Sequence, residues 1–219
     1  MRIDLHCHTT FSYQGRVAQQ PSDSVIEIEE IPLIAKEQGL DGVVITDHMT
    51  LEAGGHLVEQ TKRKHLDFLL LRGMEYHSDQ GHLLIYGISD DSVCHRFGKY
   101  GPIQEVINYV NSVGGCVVPS HPFISGYTHC LQEKVFTLNG LTALEVINGQ
   151  LDERTNQKAA QAAKKLGLPG TGGSDSHHPS AIGSVYTVFP NKITSLAELI
   201  TQLKSGNYRA ETKSSSYPA

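Results

Sequence analysis

Two histidines one residue apart follow the first apolar stretch of the chain. The segment reads RIDLHCH, so His6 and His8 are two positions apart. Residues i and i+2 of an extended chain point to the same side, which lets two imidazoles chelate one cation. The same spacing recurs at Asp175 and His177 in the motif GSDSH, where two preceding glycines allow a close approach of the backbone. Either pair alone is also common at strand ends that bind no metal.

Further candidate ligands stand as single residues in short motifs along the chain. They are His48 in TDH, Glu75 in GME, His82 in GH and His121 in SHP. Neutral imidazole and carboxylate oxygen are ligands of Zn, Mn and Fe, and a carboxylate such as Glu75 can bridge two ions about 3.5–4 Å apart in a hydrolytic pair. The sequence contains no convincing serine or cysteine triad. The residue types therefore favour metal-assisted hydrolysis.

These residues need a scaffold that gathers them, and the predicted elements provide one. Short apolar strands are predicted at residues 2–5, 42–46, 68–73, 82–86, 116–119, 143–147, 168–172 and 185–189. Helices are predicted at residues 32–38, 103–113, 153–166 and 196–204, each close to a glycine that stops it. This alternation favours a β/α architecture. The candidate ligands follow the C-terminal ends of strands, as in the active sites of β/α barrels, except His82, which begins its strand.

Length and composition narrow the class further. A chain of 219 residues with 39% hydrophobic residues fits one domain, residues 1–219, in which residues 212–219 form a loose polar tail. The net charge of −5 gives no basic surface for wrapping long nucleic acid. No apolar run reaches the roughly 18–20 residues that cross a bilayer, and no signal-like segment precedes the first strand, so we expect a cytoplasmic protein with no membrane partner.

Taken in order, the motifs HxH, TDH, GxE, GH, SHP and GSDSH resemble those of the polymerase and histidinol phosphatase (PHP) family of metal-dependent phosphoesterases. The resemblance runs from Asp4 to about Val188, and the set is specific although each motif alone is not. It implies an α/β fold of the PHP type, a distorted (β/α)7 TIM-like barrel. It also implies two or three divalent metal ions, Zn, Mn or Fe, at the C-terminal ends of the strands.

The resemblance also implies a ligand set for each ion. The first ion would be held by His6, His8, Glu75 and Asp175. The second would be held by Glu75, His82 and His121, and the third by His48 and His177. Asp47 would orient a ligand from outside the metal sphere.

The chain departs from the family after the HxH motif. Relatives often read SDG there, and their aspartate serves the third metal, whereas this chain has Ser12, Tyr13, Gln14 and Gly15. Tyrosine is a poor ligand at neutral pH, and glutamine offers only a neutral oxygen. The third site is therefore expected to be weaker, to fill only with substrate bound, or to be absent.

The implied reaction is hydrolysis of a phosphate ester by a hydroxide that bridges two ions. The predicted catalytic residues are Asp175, His121 and His177, and either histidine could protonate the leaving oxygen. Arg16 and His178 could contact a substrate phosphate. A surface arginine is at least as ordinary an interpretation of Arg16, and a solvated loop residue is the favoured interpretation of His178. The substrate would be a small phosphorylated molecule, a nucleotide or a short oligonucleotide, and the sequence does not set the oligomeric state.

Two other functions remain open at this point. Amidohydrolase barrels that cleave C–N or C–O bonds also begin with HxH and end with an aspartate at a strand end, but binuclear members usually bridge their ions with a carboxylated lysine. No lysine here follows a matching strand, and Glu75 takes that place. A noncatalytic metal-binding regulatory module is the second alternative, since PHP domains fused to larger enzymes can lose catalysis.

Overall fold

The chain is described by a computed structural model that covers residues 1–12, 22–126 and 129–213. It has a mixed α/β architecture. The strands are β1 (Arg2–Cys7), β2 (Gly42–Ile45), β3 (Leu69–Arg72), β4 (Met74–His77), β5 (His82–Tyr86), β6 (Cys116–Pro119), β7 (Leu144–Asn148), β8 (Gly170–Gly173), β9 (Val185–Val188) and β10 (Arg209–Thr212). The helices are α1 (Ile31–Glu37), α2 (Gly55–Lys64), α3 (Ser92–Phe97), α4 (Ile103–Ser112), α5 (Glu153–Leu166) and α6 (Leu196–Ser205), with short 3-10 helices at Gln132–Thr137 and Pro179–Ala181.

Hydrogen bonds divide the described strands into three sheets. The first has the order β10-β9-β1-β2-β3, the second β4-β5-β6 and the third β7-β8. The pairs β1–β2, β2–β3 and β7–β8 are parallel, whereas β5 runs antiparallel to both β4 and β6. Because the hydrogen bonds among the described strands do not form one continuous ring, the mixed α/β class is established and the closed (β/α)7 barrel stays a prediction.

Isolated parallel bridges connect the sheets at the edge where the predicted ligands lie. Cys7 at the end of β1 pairs with Ser176 beyond β8, and His48 beyond β2 pairs with Glu75 in β4. The backbone N–H of Asp175 also donates to the carbonyl of His6 over 2.8 Å. The polar ends of β1, β2, β4 and β8 are therefore held against one another by main-chain contacts.

The antiparallel direction of β5 explains why His82 begins its strand, whereas the other candidate ligands follow the C-terminal ends of predicted strands. His82 begins β5, and its register partner is His77 at the end of the antiparallel strand β4. The backbone N–H of Ser120, just after β6, donates to the carbonyl of His82 over 3.2 Å. The first residue of β5 thus lies at the same edge as the last residues of its two neighbours.

A glycine in β8 permits the close passage of β1. A Cβ atom at Gly173 would lie 2.4 Å from the Cβ of His6 and 2.8 Å from its backbone nitrogen, which is closer than real atoms approach. Any larger residue would push β8 away from the His6 segment. The expectation that glycines before Asp175 allow close backbone approach is confirmed by this contact.

Buried apolar clusters support the ligand-bearing edge from below. One of them joins Leu5, Val44, Leu84 and Val118 from four different strands. The Tyr86 hydroxyl, fully buried beside them, donates to the carbonyl of Leu5 over 2.9 Å. Close packing of this kind holds the strands, and with them the site, in fixed relative positions.

Several predicted elements need correction. The predicted strand 68–73 corresponds to β3 (Leu69–Arg72), but a further strand, β4, starts at Met74, so Glu75 lies within a strand rather than in the loop after one. Helix α2 was not predicted because only Val58 and Thr61 of its ten residues are buried, which leaves little apolar periodicity to detect.

Strand β10, which is polar and lies at the edge of its sheet, was also not predicted. It includes Thr212, so the predicted loose tail is wrong at its first residue, and residues 214–219 lie outside the described ones.

Candidate metal centre

All eight predicted metal ligands lie in one cluster at the strand-end edge. They fall into three groups whose ligand atoms lie within 4.8 Å of one another: His6, His8, Glu75 and Asp175; Glu75, His82 and His121; His8, His48 and His177. Main-chain segments that are distant in sequence therefore bring the residues together as the motif order suggested. That they bind metal remains a proposal, which the geometry below supports.

The first group has the spacing of a tetrahedral site. The Nε2 atoms of His6 and His8 are 3.1 Å apart, and each lies 3.2–3.4 Å from one oxygen of Glu75 and one of Asp175. Four ligands at about 2.0–2.2 Å from a zinc ion would themselves be about 3.3–3.6 Å apart. The four atoms thus surround a point that a small divalent cation fits.

The second group uses the other oxygen of the same glutamate. Glu75 Oε1 lies 3.1 Å from His82 Nδ1 and 2.9 Å from His121 Nε2. It also accepts from the hydroxyl of Ser120 over 2.7 Å. Glu75 Oε2, in contrast, faces the first group and has no aligned hydrogen-bond partner although it is buried. One carboxylate therefore faces two separate sets of imidazoles, as a bridging ligand does.

Attraction between carboxylates and imidazoles allows many titratable side chains to lie together in this buried cluster. Burial disfavours the charged form of Glu75, yet the imidazoles of His6, His48 and His82 hold its pKa well below the ordinary value. Burial likewise opposes a charge on His6, but Asp175, Glu145 and Glu75 raise the pKa of this imidazole well above its ordinary value. The carboxylates thus create a strong demand for positive charge, which a cation would meet by displacing protons from the imidazoles.

Two of the candidate ligands have unusual backbone conformations. His121 has a φ of 32° and Asp175 a φ of 52°, in the left-handed region that non-glycine residues seldom adopt. Such conformations cost about 1–3 kcal/mol and persist where surrounding contacts impose them. The backbone N–H of His121 donates to Glu145 Oε2 over 2.7 Å, which is one of those contacts.

Glu145 was not predicted and lies directly behind the first group. It is buried in β7, and its Oε1 is 2.9 Å from His6 Nδ1. Because a carboxylate accepts, His6 donates through Nδ1 and presents the lone pair of Nε2 to the first group. Asn148 Nδ2 donates to both Glu145 Oε2 and Asp175 Oδ2. A charged residue in the middle of the predicted strand 143–147 was the sequence signal that could have revealed it.

Replacing Glu145 by glutamine is expected to weaken metal binding about 10–100-fold, as loss of such an outer partner usually does. Glutamine can accept from His6 through its one oxygen, but its amide nitrogen would then face the N–H groups of His121 and Asn148. Titration of the metal-free protein with Zn²⁺ against a competing chelator measures the change. Glu105→Gln, an exposed change in α4, is the matched control, and an unaltered affinity in Glu145→Gln would refute the role.

Asp47 touches the loop after His8 rather than a ligand ring. Its two oxygens accept from the backbone N–H of Thr9 over 2.7 Å and from the Thr9 hydroxyl over 2.8 Å. It can therefore position His8 through the backbone. The ring of His8 is itself held by Ser12, whose Oγ lies 3.0 Å from His8 Nδ1.

Of the two predicted phosphate contacts, the structure describes His178. It is exposed, and its Nδ1 lies 3.1 Å from the hydroxyl of Ser180. Arg16 lies outside the described residues, as do Tyr13 and Gln14.

A cavity of about 80 Å³ opens onto the cluster. Its lining consists of His48, Glu75, His82, His121, Ile124, His129, Asp175 and His177. A larger cavity of about 620 Å³ lies beside α5, but Glu153 is the one titratable side chain in its described lining. The smaller cavity is thus the one lined by the candidate ligands, and its described lining includes no lysine or arginine.

Comparisons with known proteins give a matching family model and a relative of similar sequence. A family model described as PHP-associated matches residues 153–208. The uncharacterized protein MJ1587 of Methanocaldococcus jannaschii is 31% identical over 150 residues, which cover 68% of this chain and 82% of the relative.

Solved structures share the fold at low sequence identity. PsfC from Pseudomonas syringae has a TM-score of 0.70 at 19% identity, with 97% of this chain and 91% of that chain covered. A protein assigned as a metal-dependent phosphoesterase from Bifidobacterium adolescentis has a TM-score of 0.62 at 18% identity, with 92% and 96% covered. The lesion-specific endonuclease PfuEndoQ from Pyrococcus furiosus has a TM-score of 0.66 at 18% identity, with 95% and 57% covered.

Fold and site define a mixed α/β protein with a cluster of imidazoles and carboxylates suited to several divalent cations. The chain belongs to the polymerase and histidinol phosphatase family. Among the described residues, none of the helices combines the length and apolarity that a bilayer crossing requires.

Proposed function

We propose that the protein is a metal-dependent phosphoesterase that hydrolyses a phosphate ester of a small molecule, a nucleotide or a short oligonucleotide. The observation that carries the proposal is the position of Glu75. Its Oε2 faces His6, His8 and His48, and its Oε1 faces His82 and His121. Two divalent cations, Zn, Mn or Fe, would when bound supply an activated water as nucleophile and neutralise the charge of the phosphate.

The side chains of the protein form the two sets of ligands for these cations. His6, His8 and Asp175 complete the first ligand set with Glu75, and His82 and His121 complete the second. The rings of His6, His8 and His121 are buried, and Glu145 and Ser12 hold those of His6 and His8 in position. A preorganised site of this kind loses little free energy to rearrangement during the reaction.

A proton must reach the leaving oxygen, and His121 or His177 could donate it. The side chain of His177 is 31% exposed, against 9% for His121. His121 Nε2 is also in contact with Glu75. His177 is therefore the better placed of the two, provided that its own Nε2 is not bound to a cation.

The substrate is limited by the size and charge of the site. A cavity of about 80 Å³ is well below the roughly 300–1,000 Å³ of pockets that enclose whole ligands. The described residues can thus enclose the reacting phosphate while the rest of the substrate lies outside. The net charge of −5 disfavours long nucleic acid, which leaves mononucleotides, short oligonucleotides and small phosphate esters.

The principal alternative is an amidohydrolase-like enzyme that cleaves C–N or C–O bonds. The position of Glu75 between two sets of histidines argues against it, because the described lining of the cavity includes no lysine that could be carboxylated to bridge two ions. A noncatalytic metal-binding module is the second alternative. It would require the same ligands without turnover.

One preparation tested on several substrate classes discriminates among these functions. Aryl phosphates and nucleotides are expected to be hydrolysed after Mn²⁺ or Zn²⁺ is added back to chelator-treated protein. Amides and lactones are the parallel substrates. Activity that survives chelation, or preference for amides and lactones, would exclude the proposed reaction, and bound metal without turnover on any phosphoester would favour the regulatory module.

A further inference from the structure

Two residues in the described lining of the small cavity are not candidate metal ligands. They are Ile124 and His129, and both side chains are half-buried. An aliphatic and an aromatic side chain thus adjoin the imidazoles and carboxylates of the metal centre. Because the cavity of about 80 Å³ has room for the reacting phosphate and little more, these two side chains are available to the group that carries the phosphate.

The ring of His129 stacks on the ring of Tyr100. The two ring centroids are 4.3 Å apart, and the ring planes differ by 24°. Tyr100 is 45% exposed, so the stack lies at the surface and not in a core. The Nζ atom of Lys99 lies 5.1 Å from the centre of the Tyr100 ring, which places a positive charge beside the stack. Proteins that bind single-stranded nucleic acids combine aromatic rings and cations in this way to stack bases.

Tyr100 has a backbone conformation that only its surroundings explain. Its φ of 65° is in the left-handed region that non-glycine residues seldom adopt. Its backbone N–H donates to the carbonyl of His77 over 2.8 Å. On either side of Tyr100, the hydroxyl of Tyr76 donates to the carbonyl of Gly98 and accepts from the N–H of Gly101. These bonds impose a strained conformation of the kind that is found most often at functional sites.

Asp79 connects His129 to the segment that carries Tyr100. The Nδ1 atom of His129 lies 2.9 Å from the carbonyl oxygen of Asp79, and since a carbonyl only accepts, Nδ1 carries the proton. The backbone N–H of Asp79 donates to the carbonyl of Gly101 over 3.1 Å. Its Oδ1 accepts from the N–H of Ile103 over 2.9 Å. The stacked rings are therefore preorganised, which lowers the entropic cost of binding a third ring.

We propose that His129, supported by Tyr100, stacks against a planar aromatic group of the substrate. The protein would then favour phosphate esters of nucleosides over those of sugars and other aliphatic alcohols, which offer no ring face. This inference rests on the proposed function, because it selects among the substrates left open there. Ile124 would add an apolar contact to the same group. Aryl phosphates carry a planar ring without the ribose and are the second source of this chemistry.

A matched series of substrates tests the proposal on the metal-loaded protein. Adenosine 5′-monophosphate and ribose 5-phosphate share the sugar and the phosphate and differ by the base. The kcat/KM for the nucleotide is expected to be about 5–150-fold higher, the fold-change that corresponds to one stacked base. His129→Ala should lower the value for the nucleotide toward that for ribose 5-phosphate, whereas His129→Phe, which keeps a ring, should retain the preference. His95→Ala, an exposed change in α3, is the matched control.

Phenyl phosphate distinguishes the two sources of the planar ring. A loss in His129→Ala that is confined to the nucleotide identifies a nucleobase, and a loss that extends to phenyl phosphate identifies aromatic rings in general. Tyr100→Asn tests the support of His129, because asparagine tolerates the left-handed region but supplies no ring. We expect it to lower the nucleotide preference in the same direction as His129→Ala.

Two results would overturn the stacking inference alone. One is an equal kcat/KM of the wild-type protein for the nucleotide and for ribose 5-phosphate. The other is a His129→Ala variant that keeps the full preference for the nucleotide. A metal-loaded wild-type protein that hydrolyses no phosphate ester would overturn the proposed function as well.

Discussion

Replacing Glu75 by glutamine is expected to abolish metal-dependent hydrolysis and to leave the protein with fewer than two bound ions. Glu75 is fully buried, and its two oxygens face different sets of imidazoles. Glutamine keeps the shape but loses the charge, and its amide nitrogen would point a donor at one of the two cations. Removal of one stabilising group typically costs about 10²–10³ in rate. Because this change disturbs both ions, we expect kcat/KM to fall by more than about 10³-fold.

The measurement pairs kinetics with elemental analysis on one preparation of Glu75→Gln. Glu105→Gln, on the exposed face of α4, serves again as the control and should match the wild type in both readouts. Circular dichroism establishes that the variant is folded. A folded Glu75→Gln protein that retained two ions and the wild-type rate would contradict the bridging role.

Removal of metal is expected to lower the thermal stability markedly. Cations that bind only the folded state stabilise it by about 4 kcal/mol when their free concentration is 1,000 times the dissociation constant. For a chain of this size each kcal/mol shifts the melting temperature by about 2–4 °C, so a shift of about 8–16 °C is expected. The physical source is the buried cluster itself, because a bound cation would offset the negative charges of Glu75 and Asp175.

Calorimetry with and without chelator measures this shift. Glu75→Gln is the informative comparison, because its melting temperature should respond far less to the chelator. Equal melting temperatures for the chelated and metal-loaded wild type would show that the histidine cluster is stable without metal. That outcome would favour a structural role for these residues.

The placement of the ligands could be predicted because it follows from a simple rule. His6, Glu75, His121 and Asp175 lie in or just after strands, and the ends of neighbouring strands meet at one edge of a β/α fold. His82 was predicted as a ligand only from the family resemblance. Its position became understandable once β5 was seen to run antiparallel to β4 and β6.

Other parts of the site depend on tertiary contacts that no local pattern encodes. Asp23 lies in a polar stretch with no motif, and it contacts His48 because Ser24 and Val25 bond to the segments of His8 and His177. Glu145 lies inside a predicted apolar strand, and only the fold shows that it contacts His6. A buried charge within an apolar strand is a signal that sequence analysis can use.

A diffraction experiment at the absorption edges of Zn and Mn, on protein crystallised with metal and inorganic phosphate, tests whether Glu75 bridges two cations. Two strong anomalous peaks about 3.5–4 Å apart are expected, one on each side of Glu75, with the phosphate in contact with both. An absence of peaks beside Glu75, or a single peak that leaves the histidines of either ligand set unbound, would show that the protein has no binuclear centre.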